Sequence, residues 1–460
     1  MKRWLSLVAL ATAASLFAEV KLPPFTRQTL PNGVVLTMLP KKDVPLMTIR
    51  VLIRGGVESD PAGQGGLASI TAELLRRGTA TRSADRFSDE LDFMGASYHA
   101  GVDAQTTSLS TEFLAKDAAR AIDLLSDLLL HPAFPEAEVR KVLAQRADAA
   151  KALKDDPQAA AQQYYRAFFF GPQHPYGHPG DGDELSLARI SRDAILSYHR
   201  QTYAGANTIV VAAGDLDPAA LGPQLARAFS ALPAGEPYPW KKDAPPAHAG
   251  RPRLLLVDKP DATQTYFLIG QPGIHRTHPD RVVLWLVNTL FGGRFTSMLN
   301  EELRVNSGLT YGAGCQLERD RLTGSIAIST FTRTEKTAQA VDLALEVLKR
   351  LGEKGITADQ LASAKAYLKG GYPTERLETA DQLAGVLGEM EIYGLGRGEV
   401  DDLFPQIDRI TVEQANAAAR KYYRPENLVF LLLGNAGKIR ESARKYAAEV
   451  KEVSISAPGL

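Results

Sequence analysis

Hydrophobic and polar residues alternate along two stretches of the chain, residues 107–113 and residues 325–331. This period of two predicts β-strands with one buried face. Each stretch is followed by a segment whose apolar residues recur at three- and four-residue spacing, which predicts an amphipathic helix. The two helices open with related sequences, Ala-Ile-Asp-Leu from position 121 and Ala-Val-Asp-Leu from position 340. A strand and a matching helix therefore occur twice in the same order, which indicates an internal repeat.

A second set of matching residues supports the repeat, because the two members of every pair are separated by 220 positions. The pairs are Arg189 and Arg409, Ile190 and Ile410, Tyr203 and Tyr423, Asn207 and Asn427, and Gly214 and Gly434. In each copy a polar helical stretch ends at the tyrosine, a turn carries the asparagine, and an apolar strand follows at residues 208–213 or 428–433. The chain is therefore predicted to consist of two related α+β halves.

Composition suggests where these halves begin and end. Residues 232–253 are rich in Pro, Gly, Ala and Lys without sustained apolar periodicity, which is typical of a linker. The predicted halves are residues 19–231 and 254–460. Before them, Lys2 and Arg3 precede an almost wholly apolar run that ends in small residues up to Ala18, which predicts a signal peptide over residues 1–18. The apolar run is too short to span about 30 Å of hydrocarbon, so we expect a periplasmic or secreted protein.

The charge balance argues against one large class of partners. Of the 460 residues, 53 are Lys or Arg and 53 are Asp or Glu, so the formal net charge is zero. A nucleic-acid binder needs a basic excess to neutralise phosphates, so no nucleic-acid partner is expected. No later apolar run is long enough to span a bilayer, so no membrane partner is expected either. The single cysteine, Cys315, cannot form a disulfide within the chain.

A glycine-rich part of the N-terminal half carries a recognisable pattern. Residues 55–60 read GGVESD, residues 65–69 read GGLAS, and residues 73–79 read ELLRRGT. This pattern resembles the insulinase and mitochondrial-processing-peptidase family of zinc peptidases, the inverzincins. Active members carry His-x-x-Glu-His on the helix after Gly-Leu-Ala. There the two His bind Zn²⁺, the Glu activates the metal-bound water, and a Glu from a later helix is the third ligand.

The resemblance implies that this chain has lost the whole metal site. Ser69 and Glu73 occupy the two histidine positions, Ala72 occupies the position of the catalytic Glu, and Gln145 stands near the third-ligand position. A hydroxyl, a methyl, a carboxylate and a carboxamide do not form a tight zinc site. We therefore expect no zinc or other cofactor in this chain. Glu73 acting alone as a catalytic acid is one interpretation, and an ordinary helix-surface glutamate is the simpler one.

The histidines offer no substitute site. His174 and His178 are four residues apart, but the prolines and glycines around them exclude the helix that would place both on one face. The family commonly has a His-Pro-Tyr-Gly loop at this place, so the resemblance implies a structural loop. His275 and His278 flank a turn without an acidic or cysteine partner at a useful spacing, so we expect them to be loop residues.

The C-terminal half carries the second part of the resemblance. Residues 290–295 read LFGGRF, residues 297–304 read SMLNEELR, and residues 308–312 read GLTYG. In the family, the Arg and Tyr of this segment reach the active site of a zinc-bearing half. The resemblance implies that Arg304 holds the substrate backbone or a carboxylate, and that Tyr311 donates a hydrogen bond to the reacting carbonyl oxygen. The alternative is that Arg304 is a helix-end cation and Tyr311 an ordinary strand aromatic.

The resemblance covers the chain after residue 18 and implies a fold and a function. The fold is α+β, with two homologous halves related by internal duplication, each a mostly antiparallel sheet covered by helices. The function is that of a non-catalytic subunit of a heterodimeric zinc metallopeptidase, inactive alone. A homologous partner subunit would carry the zinc, peptides would be the substrates, and Arg304 and Tyr311 would complete the partner's active site in trans. The alternatives are a catalytically inert peptide-binding or scaffold protein and, with least support, an independent hydrolase.

Overall fold

The computed structural model of the chain describes residues 20–243 and 250–460, and the strands in this part form two six-stranded sheets. The predicted signal peptide and part of the predicted linker lie outside the described residues. The strands are β1 (Thr26–Thr29), β2 (Val35–Pro40), β3 (Leu46–Arg54), β4 (Ser97–Val102), β5 (Thr106–Leu114), β6 (Thr208–Gly214), β7 (Arg253–Asp258), β8 (Gln264–Pro272), β9 (Ala313–Arg319), β10 (Gly324–Arg333), β11 (Val429–Gly434) and β12 (Glu449–Ser454).

Helices account for most of the remaining residues. The α-helices are α1 (Leu67–Leu75), α2 (Ala84–Met94), α3 (Ala118–Leu130), α4 (Glu136–Ala152), α5 (Pro157–Phe170), α6 (Glu184–Leu187), α7 (Arg192–Thr202), α8 (Pro218–Phe229), α9 (Arg281–Asn288), α10 (Met298–Asn300), α11 (Thr337–Lys354), α12 (Ala358–Arg376), α13 (Ala380–Tyr393), α14 (Gly398–Asp401), α15 (Leu403–Arg409), α16 (Val412–Tyr422) and α17 (Ala436–Ala443). Two π-helical segments, Thr289–Gly293 and Glu301–Asn306, follow α9 and α10.

The two sheets have the same arrangement apart from one edge strand. The first has the order β1-β2-β6-β3-β5-β4 and the second the order β12-β7-β11-β8-β10-β9. When β1 and β12 are left out, the five remaining strands of each half follow the same order relative to the chain. Among the described strands, parallel pairing is limited to β2 with β6 and to β7 with β11 and β12. The predicted fold class, two duplicated halves with mostly antiparallel sheets, is confirmed.

The central strands β6 and β11 are buried along their whole length, which explains their unbroken apolar sequence. In β6, Ile209 and Val211 belong to the core that contains α13, whereas Val210 belongs to the core of the N-terminal half. In β11, Phe430 packs in the core of the C-terminal half, whereas Leu431 packs in the core that contains α5. Alternate residues of each strand therefore face two different cores.

Each sheet is covered on one face by a helix from the other half. Helix α13 of the C-terminal half packs across β3 and β6, and helix α5 of the N-terminal half packs across β8 and β11. The two helices stand at equivalent places in the repeat, since each is the third long helix after the matching strand. The halves thus exchange equivalent helices, and each sheet needs the other half to bury its second apolar face.

Specific contacts fix both exchanged helices. Arg50 on β3 donates from Nη2 to the two carboxylate oxygens of Asp381 on α13, at 2.9 and 2.8 Å. On the other sheet, a Cβ added to Gly270 of β8 would lie 1.6 Å from Tyr165 Oη of α5. Only glycine permits this approach, so the sequence of β8 is adapted to the helix from the other half.

The segment between the two sheets contacts both halves. The backbone N–H of Tyr238 donates to Asn207 Oδ1 at 2.6 Å. The guanidinium carbon of Arg321, in the C-terminal half, lies 4.7 Å from the centre of the Trp240 ring. Arg321 also donates to the buried carboxylate of Glu58, in the N-terminal half, at 2.6 Å. The boundaries inferred from composition, residues 231 and 254, stay a prediction.

The expectation that no later apolar run is long enough to span a bilayer is wrong by length and composition, because one stretch among the described residues, Arg281–Asn306, passes that test. Of its most apolar window, 56% is buried inside the protein. Leu286, Leu299 and Leu303 are fully buried in the core of the C-terminal half. The stretch therefore packs in the way a core helix of a globular protein does.

Candidate functional site

Helix α1 carries three of the four positions predicted from the zinc motif, and Asp60 fixes the start of this helix. The buried Asp60 carboxylate accepts hydrogen bonds from the backbone N–H groups of Gly66 and Ala68, both at 2.8 Å. A carboxylate at this end also interacts favourably with the helix dipole. Burial raises the pKa of Asp60 to about 7. Ala72, at the predicted position of the catalytic base, is buried on α1.

Ser69 and Glu73, at the two predicted histidine positions, are both engaged by neighbouring side chains. Ser69 Oγ donates to Asp181 Oδ1 at 2.8 Å. The half-buried Glu73 carboxylate accepts from Arg77 Nη2 at 3.1 Å and from Arg146 Nε at 2.8 Å. Two guanidinium groups therefore hold the carboxylate of Glu73, so it is not free to act alone as a catalytic acid.

Arg146 of α4 is the centre of this arrangement. Its Nε donates to Glu73 and its Nη1 donates to Asp181 Oδ1 at 3.2 Å. One guanidinium group thus joins α1, α4 and the loop that contains Asp181. Gln145, the predicted third-ligand position, is exposed on α4 and does not join this group. We call Ser69, Glu73, Arg77, Arg146 and Asp181 the ion-pair corner.

The ion-pair corner does not fit a zinc ion. A zinc site needs several imidazole, thiolate or carboxylate donors directed at one point. Residues 20–243 and 250–460 contain no group of three or more His, Cys, Asp or Glu side chains that could hold a metal. The carboxylates of Glu73 and Asp181 already pair with the guanidinium group of Arg146. The positive charge of this group would repel a metal cation at the same place. The corner can tie α1 to α4, and it supplies no metal chemistry.

The other predicted pair, Arg304 and Tyr311, comes together on the surface of the C-terminal half. The guanidinium carbon of Arg304 lies 4.5 Å from the centre of the Tyr311 ring and 4.7 Å from that of Phe295. Tyr311 is 77% exposed and Phe295 is 65% exposed. Within the described part of the chain Arg304 forms no ion pair. We call Phe295, Arg304 and Tyr311 the aromatic cradle; stacking holds the guanidinium group and leaves its N–H groups as donors.

Two glycines shape the backbone around the cradle. A Cβ on Gly292 would lie 2.3 Å from the backbone N of Cys315, so glycine is needed for the turn before the cradle to lie against β9. Gly308 has a φ of +62°, which lets the chain leave the helical segment that carries Arg304 and enter β9. That segment, Glu301–Asn306, is π-helical, a rare winding that is frequent at functional sites.

The ion-pair corner and the aromatic cradle are separate in this chain. The corner is built on α1, α4 and the loop that contains Asp181. The cradle is built on the turn before α10, the segment Glu301–Asn306 and the residues before β9. Among the described residues no hydrogen bond, ion pair or ring contact joins the two. The structure therefore brings Arg304 to Tyr311, and Ser69 to Glu73, but does not bring the two pairs to one site.

The sequence does not point to Arg77, Arg146, Asp181 or Phe295 as parts of these sites. Arg77 and Phe295 lie within the quoted signatures, which assign them no role, and Arg146 and Asp181 lie outside both signatures. The sequence does show that Arg146 is next to Gln145, the predicted third-ligand position. Arg146 is 35 residues from Asp181, however, and only the fold brings these two residues together. Phe295 follows the glycine turn directly, yet its stacking with Arg304 requires the turn to fold back over the helix.

The four histidines considered above as metal ligands are structural or lie at the surface. His174 is buried, and its Nδ1 accepts from the backbone N–H of Tyr176 at 3.0 Å. Burial lowers the pKa of His174 to about 4, and burial also lowers the pKa of His178. His275 and His278 stack edge to face, with ring centres 5.2 Å apart, in the loop before α9. None of the four stands beside the ion-pair corner or the cradle as a hydrogen-bond partner within the described chain.

Two family models match successive parts of the chain. The model described as insulinase (peptidase family M16) matches residues 36–173, which contain the ion-pair corner apart from Asp181. The model described as peptidase M16 inactive domain matches residues 189–368, which contain the aromatic cradle. The two matches follow each other along the chain, as the resemblance in the sequence predicts.

Individual relatives match almost end to end. An uncharacterized zinc protease of Mycobacterium tuberculosis is 30% identical over 400 residues, which are 86% of this chain and 90% of that protein. The non-peptidase homolog YmxG of Helicobacter pylori is 24% identical over 396 residues, which are 86% of this chain and 90% of that protein.

Solved structures share the fold. The peptidase M16 inactive domain from Pseudomonas fluorescens superposes with a TM-score of 0.83 at 24% identity, covering 89% of this chain and 98% of that chain. A protease from Helicobacter pylori superposes with a TM-score of 0.80 at 19% identity, covering 90% of this chain and 100% of that chain. At these identities the two structures show the architecture alone.

Proposed function

Because the chain belongs to the M16 (insulinase) peptidase family, we propose that it is the non-catalytic subunit of a heterodimeric zinc peptidase. A homologous partner subunit supplies His-x-x-Glu-His and its zinc, and this chain binds the peptide substrate and completes the active site in trans. The observation that carries the proposal is the contrast between a closed ion-pair corner and an exposed aromatic cradle in the same chain.

The ion-pair corner supports the non-catalytic part of the proposal. Ala72 offers no general base, and the carboxylate of Glu73 is held by Arg77 and Arg146. A general base must be free to accept a proton within hydrogen-bond distance of its substrate. The chain therefore needs a second subunit for the hydrolytic step.

The aromatic cradle supports the substrate-binding part. The rings of Phe295 and Tyr311 lie against the guanidinium group of Arg304, which forms no ion pair in the described chain. Its N–H fork is therefore available for a backbone carbonyl or a terminal carboxylate of the substrate. The Tyr311 hydroxyl, on a largely exposed ring, donates to the carbonyl oxygen on which negative charge develops. Exposed aromatic side chains of this kind are typical of surfaces that another molecule covers.

The proposed place of action is the periplasm or the cell exterior. It rests on the signal peptide predicted at residues 1–18. Short or unfolded peptides are the proposed substrates, because two M16 subunits would close around the substrate.

Co-expression with a zinc-bearing relative from the same organism tests the proposal. We expect this chain alone to be inactive and the complex to cleave peptides. Arg304→Ala and Tyr311→Phe should each slow the complex by tenfold or more, on the scale of about 10²–10³ for loss of an oxyanion donor. Matched controls are Arg120→Ala and Tyr367→Phe, which remove an exposed stacked arginine and an exposed tyrosine elsewhere.

The outcomes separate the proposal from its alternatives. If the complex is active and both cradle variants cleave at the rate of their controls, the role in trans is wrong. If no zinc-bearing relative forms a complex but peptides still bind this chain, the protein is an inert peptide-binding protein. One tightly bound zinc per purified chain, with peptidase activity, would instead establish an independent metallopeptidase.

A further inference from the structure

A cavity of about 260 Å³ lies within the C-terminal half, between β9, α12 and α13. Its lining combines apolar side chains with charged ones. The apolar part includes Trp285, Tyr372, Met390 and Leu395. The cavity volume is several times the space of about 30 Å³ that one water molecule takes in the liquid, so a small organic molecule fits.

The charged groups inside the cavity do not balance. Arg276 donates from Nε to Glu389 and from Nη2 to Glu399, both at 2.7 Å. Arg281 donates from Nη2 to the same Glu399 at 2.9 Å. Arg319 donates from Nη1 only to the backbone oxygen of Arg281, at 3.2 Å, and has no carboxylate within ion-pair distance in the described chain. Three arginines therefore face two glutamates, and the charge of Arg319 is left over.

The remaining carboxylates nearby do not compensate Arg319. Glu318 and Asp320, its neighbours in sequence, lie on the other face of the chain here and pair with Arg166. Glu375 and Arg376 also line the cavity but are exposed to solvent, and Arg376 donates to Glu389, the carboxylate that Arg276 also contacts.

Arg319 is half-buried, so its guanidinium group has lost part of its water without gaining an ion-pair partner in the described chain, which is costly. Burial and the repulsion from Arg276 lower the pKa of Arg319 to about 10. Arg276 adds a second unsatisfied donor, since its Nη1 is buried without a hydrogen-bond partner in the described chain. Two donors of positive sign in one cavity are suited to an anion with two oxygens, which a guanidinium fork binds in a bidentate manner.

We propose that this cavity binds a small carboxylate that carries an apolar group, with the carboxylate against Arg319 and the apolar group against Trp285 and Tyr372. A bare oxyanion uses only the charged part of the lining, and an uncharged apolar molecule leaves Arg319 uncompensated. The same chemistry is offered by a free organic acid and by the C-terminal residue of a short peptide. The site does not depend on the proposed role in trans, because none of the residues that line the cavity belongs to the aromatic cradle.

Direct binding to the purified full chain tests the site. Isothermal titration would compare 3-phenylpropionate, the alcohol 3-phenylpropan-1-ol and inorganic phosphate. We expect saturable binding of the acid, at least tenfold tighter than binding of the alcohol or of phosphate. N-acetyl-glycyl-phenylalanine, added in competition, distinguishes the two sources: tighter binding of the peptide identifies a peptide C-terminus, and weaker binding identifies a free acid. Equal affinity for acid and alcohol, or no saturable binding of the acid, would overturn the proposal.

Substitution of Arg319 separates a ligand contact from a structural one. Arg319→Met should weaken binding of the acid at least tenfold and raise the melting temperature of the ligand-free protein, because an unpaired, half-buried charge is removed. Arg440→Met, which removes an exposed arginine paired with Glu452, changes the net charge equally and should leave the affinity unchanged. A purely structural Arg319 predicts the reverse, a lower melting temperature with unchanged affinity. Arg319→Lys provides a second variant, which keeps the charge and should still lose affinity because the fork is lost.

Discussion

Two arginines, one in each half, are used in opposite ways. Arg146 is held between the carboxylates of Glu73 and Asp181, where it joins two helices and a loop. Arg304 has no carboxylate beside it in the described chain and is stacked between the exposed rings of Phe295 and Tyr311. The first guanidinium group is paired with carboxylates of the protein, and the second has no ion-pair partner in the described chain.

Under the proposed function, this difference shows how a duplicated fold can keep half of a site. Ion pairing fills the positions of the lost metal site, so the N-terminal half stays packed without the bonds that a metal would provide. The aromatic rings of the cradle are exposed, so they contribute little to the stability of the fold. A side chain kept exposed and oriented at such a place is better explained by binding than by packing.

The largest expected effect is a loss of folding stability at low pH. It tests whether the stability of the N-terminal half depends on a buried polar side chain. His174 has a folded-state pKa of about 4 against an ordinary value of 6.5. The unfolded chain therefore takes up a proton as the pH falls below 6.5, whereas the folded chain does not until about pH 4. The contribution of His174 to the free energy of unfolding is fully present above pH 6.5 and falls by about 3 kcal/mol by pH 4.

Urea unfolding at pH 7, 5.5 and 4 measures this loss. His174→Asn keeps an acceptor for the backbone N–H of Tyr176 and should lose about 3 kcal/mol less than the wild type over this range. His275→Asn, at the surface of the C-terminal half, is the control and should follow the wild type. Equal losses for the wild type and His174→Asn would show that acid acts elsewhere.

The next effect concerns the ion-pair corner itself. Arg146→Met leaves Glu73 with one partner and Asp181 with none but Ser69, so we expect a loss of about 2 kcal/mol in the free energy of unfolding. This is less than for a fully buried pair, because the side chains of Arg146 and Glu73 are 28% and 21% exposed. The measurement is urea unfolding at neutral pH.

Arg140→Met is the matched control for the corner. It lies on the same helix and removes an ion pair with Glu136 in which the side chains are 70% and 69% exposed. Such exposed pairs contribute about 0.5 kcal/mol or less. If the two substitutions cost the same, the corner is an ordinary surface pair and the contrast with Arg304 loses its basis.

Much of the fold follows from the sequence, and one central feature does not. The alternating residues 107–113 and 325–331 lie within β5 and β10, and the apolar stretches 208–213 and 428–433 correspond to β6 and β11. The exchange of α5 and α13 was not predictable, because an amphipathic pattern shows that a helix has an apolar face but not which sheet covers it. Only three-dimensional contacts such as Arg50 with Asp381 reveal the partner.

The candidate site divides in the same way. The family resemblance predicts Ser69, Ala72, Glu73, Arg304 and Tyr311 as site positions, because each lies next to a glycine-rich signature. The side chains that define what these residues do come from other elements, Arg146 from α4 and Phe295 from a turn. Ion pairs and ring stacking depend on distance in space, and the sequence does not record it.

A smaller effect comes from replacing each arginine with lysine. Arg304→Lys keeps the charge but loses the planar fork and the stacking, so the complex with a zinc-bearing subunit should cleave peptides about tenfold more slowly. Arg146→Lys keeps a cation near Glu73 and Asp181 and should change the rate by less than about twofold. Steady-state kinetics of the two complexes measures both. Equal rates for the two variants would mean that Arg304 acts only as a charge, as Arg146 does.

The smallest effect isolates the stacking. Phe295→Leu keeps an apolar side chain but removes the π face, so we expect KM to rise about three- to fivefold with kcat little changed, and Phe295→Tyr to restore it. Phe93→Leu is the control, because Phe93 is 80% exposed and Arg120 stacks on it at 5.0 Å. Phe295 is a positioning residue if only its variant changes KM. If Phe295→Leu and Phe93→Leu behave alike, stacking does not orient Arg304, and the two arginines differ only in having or lacking a carboxylate partner.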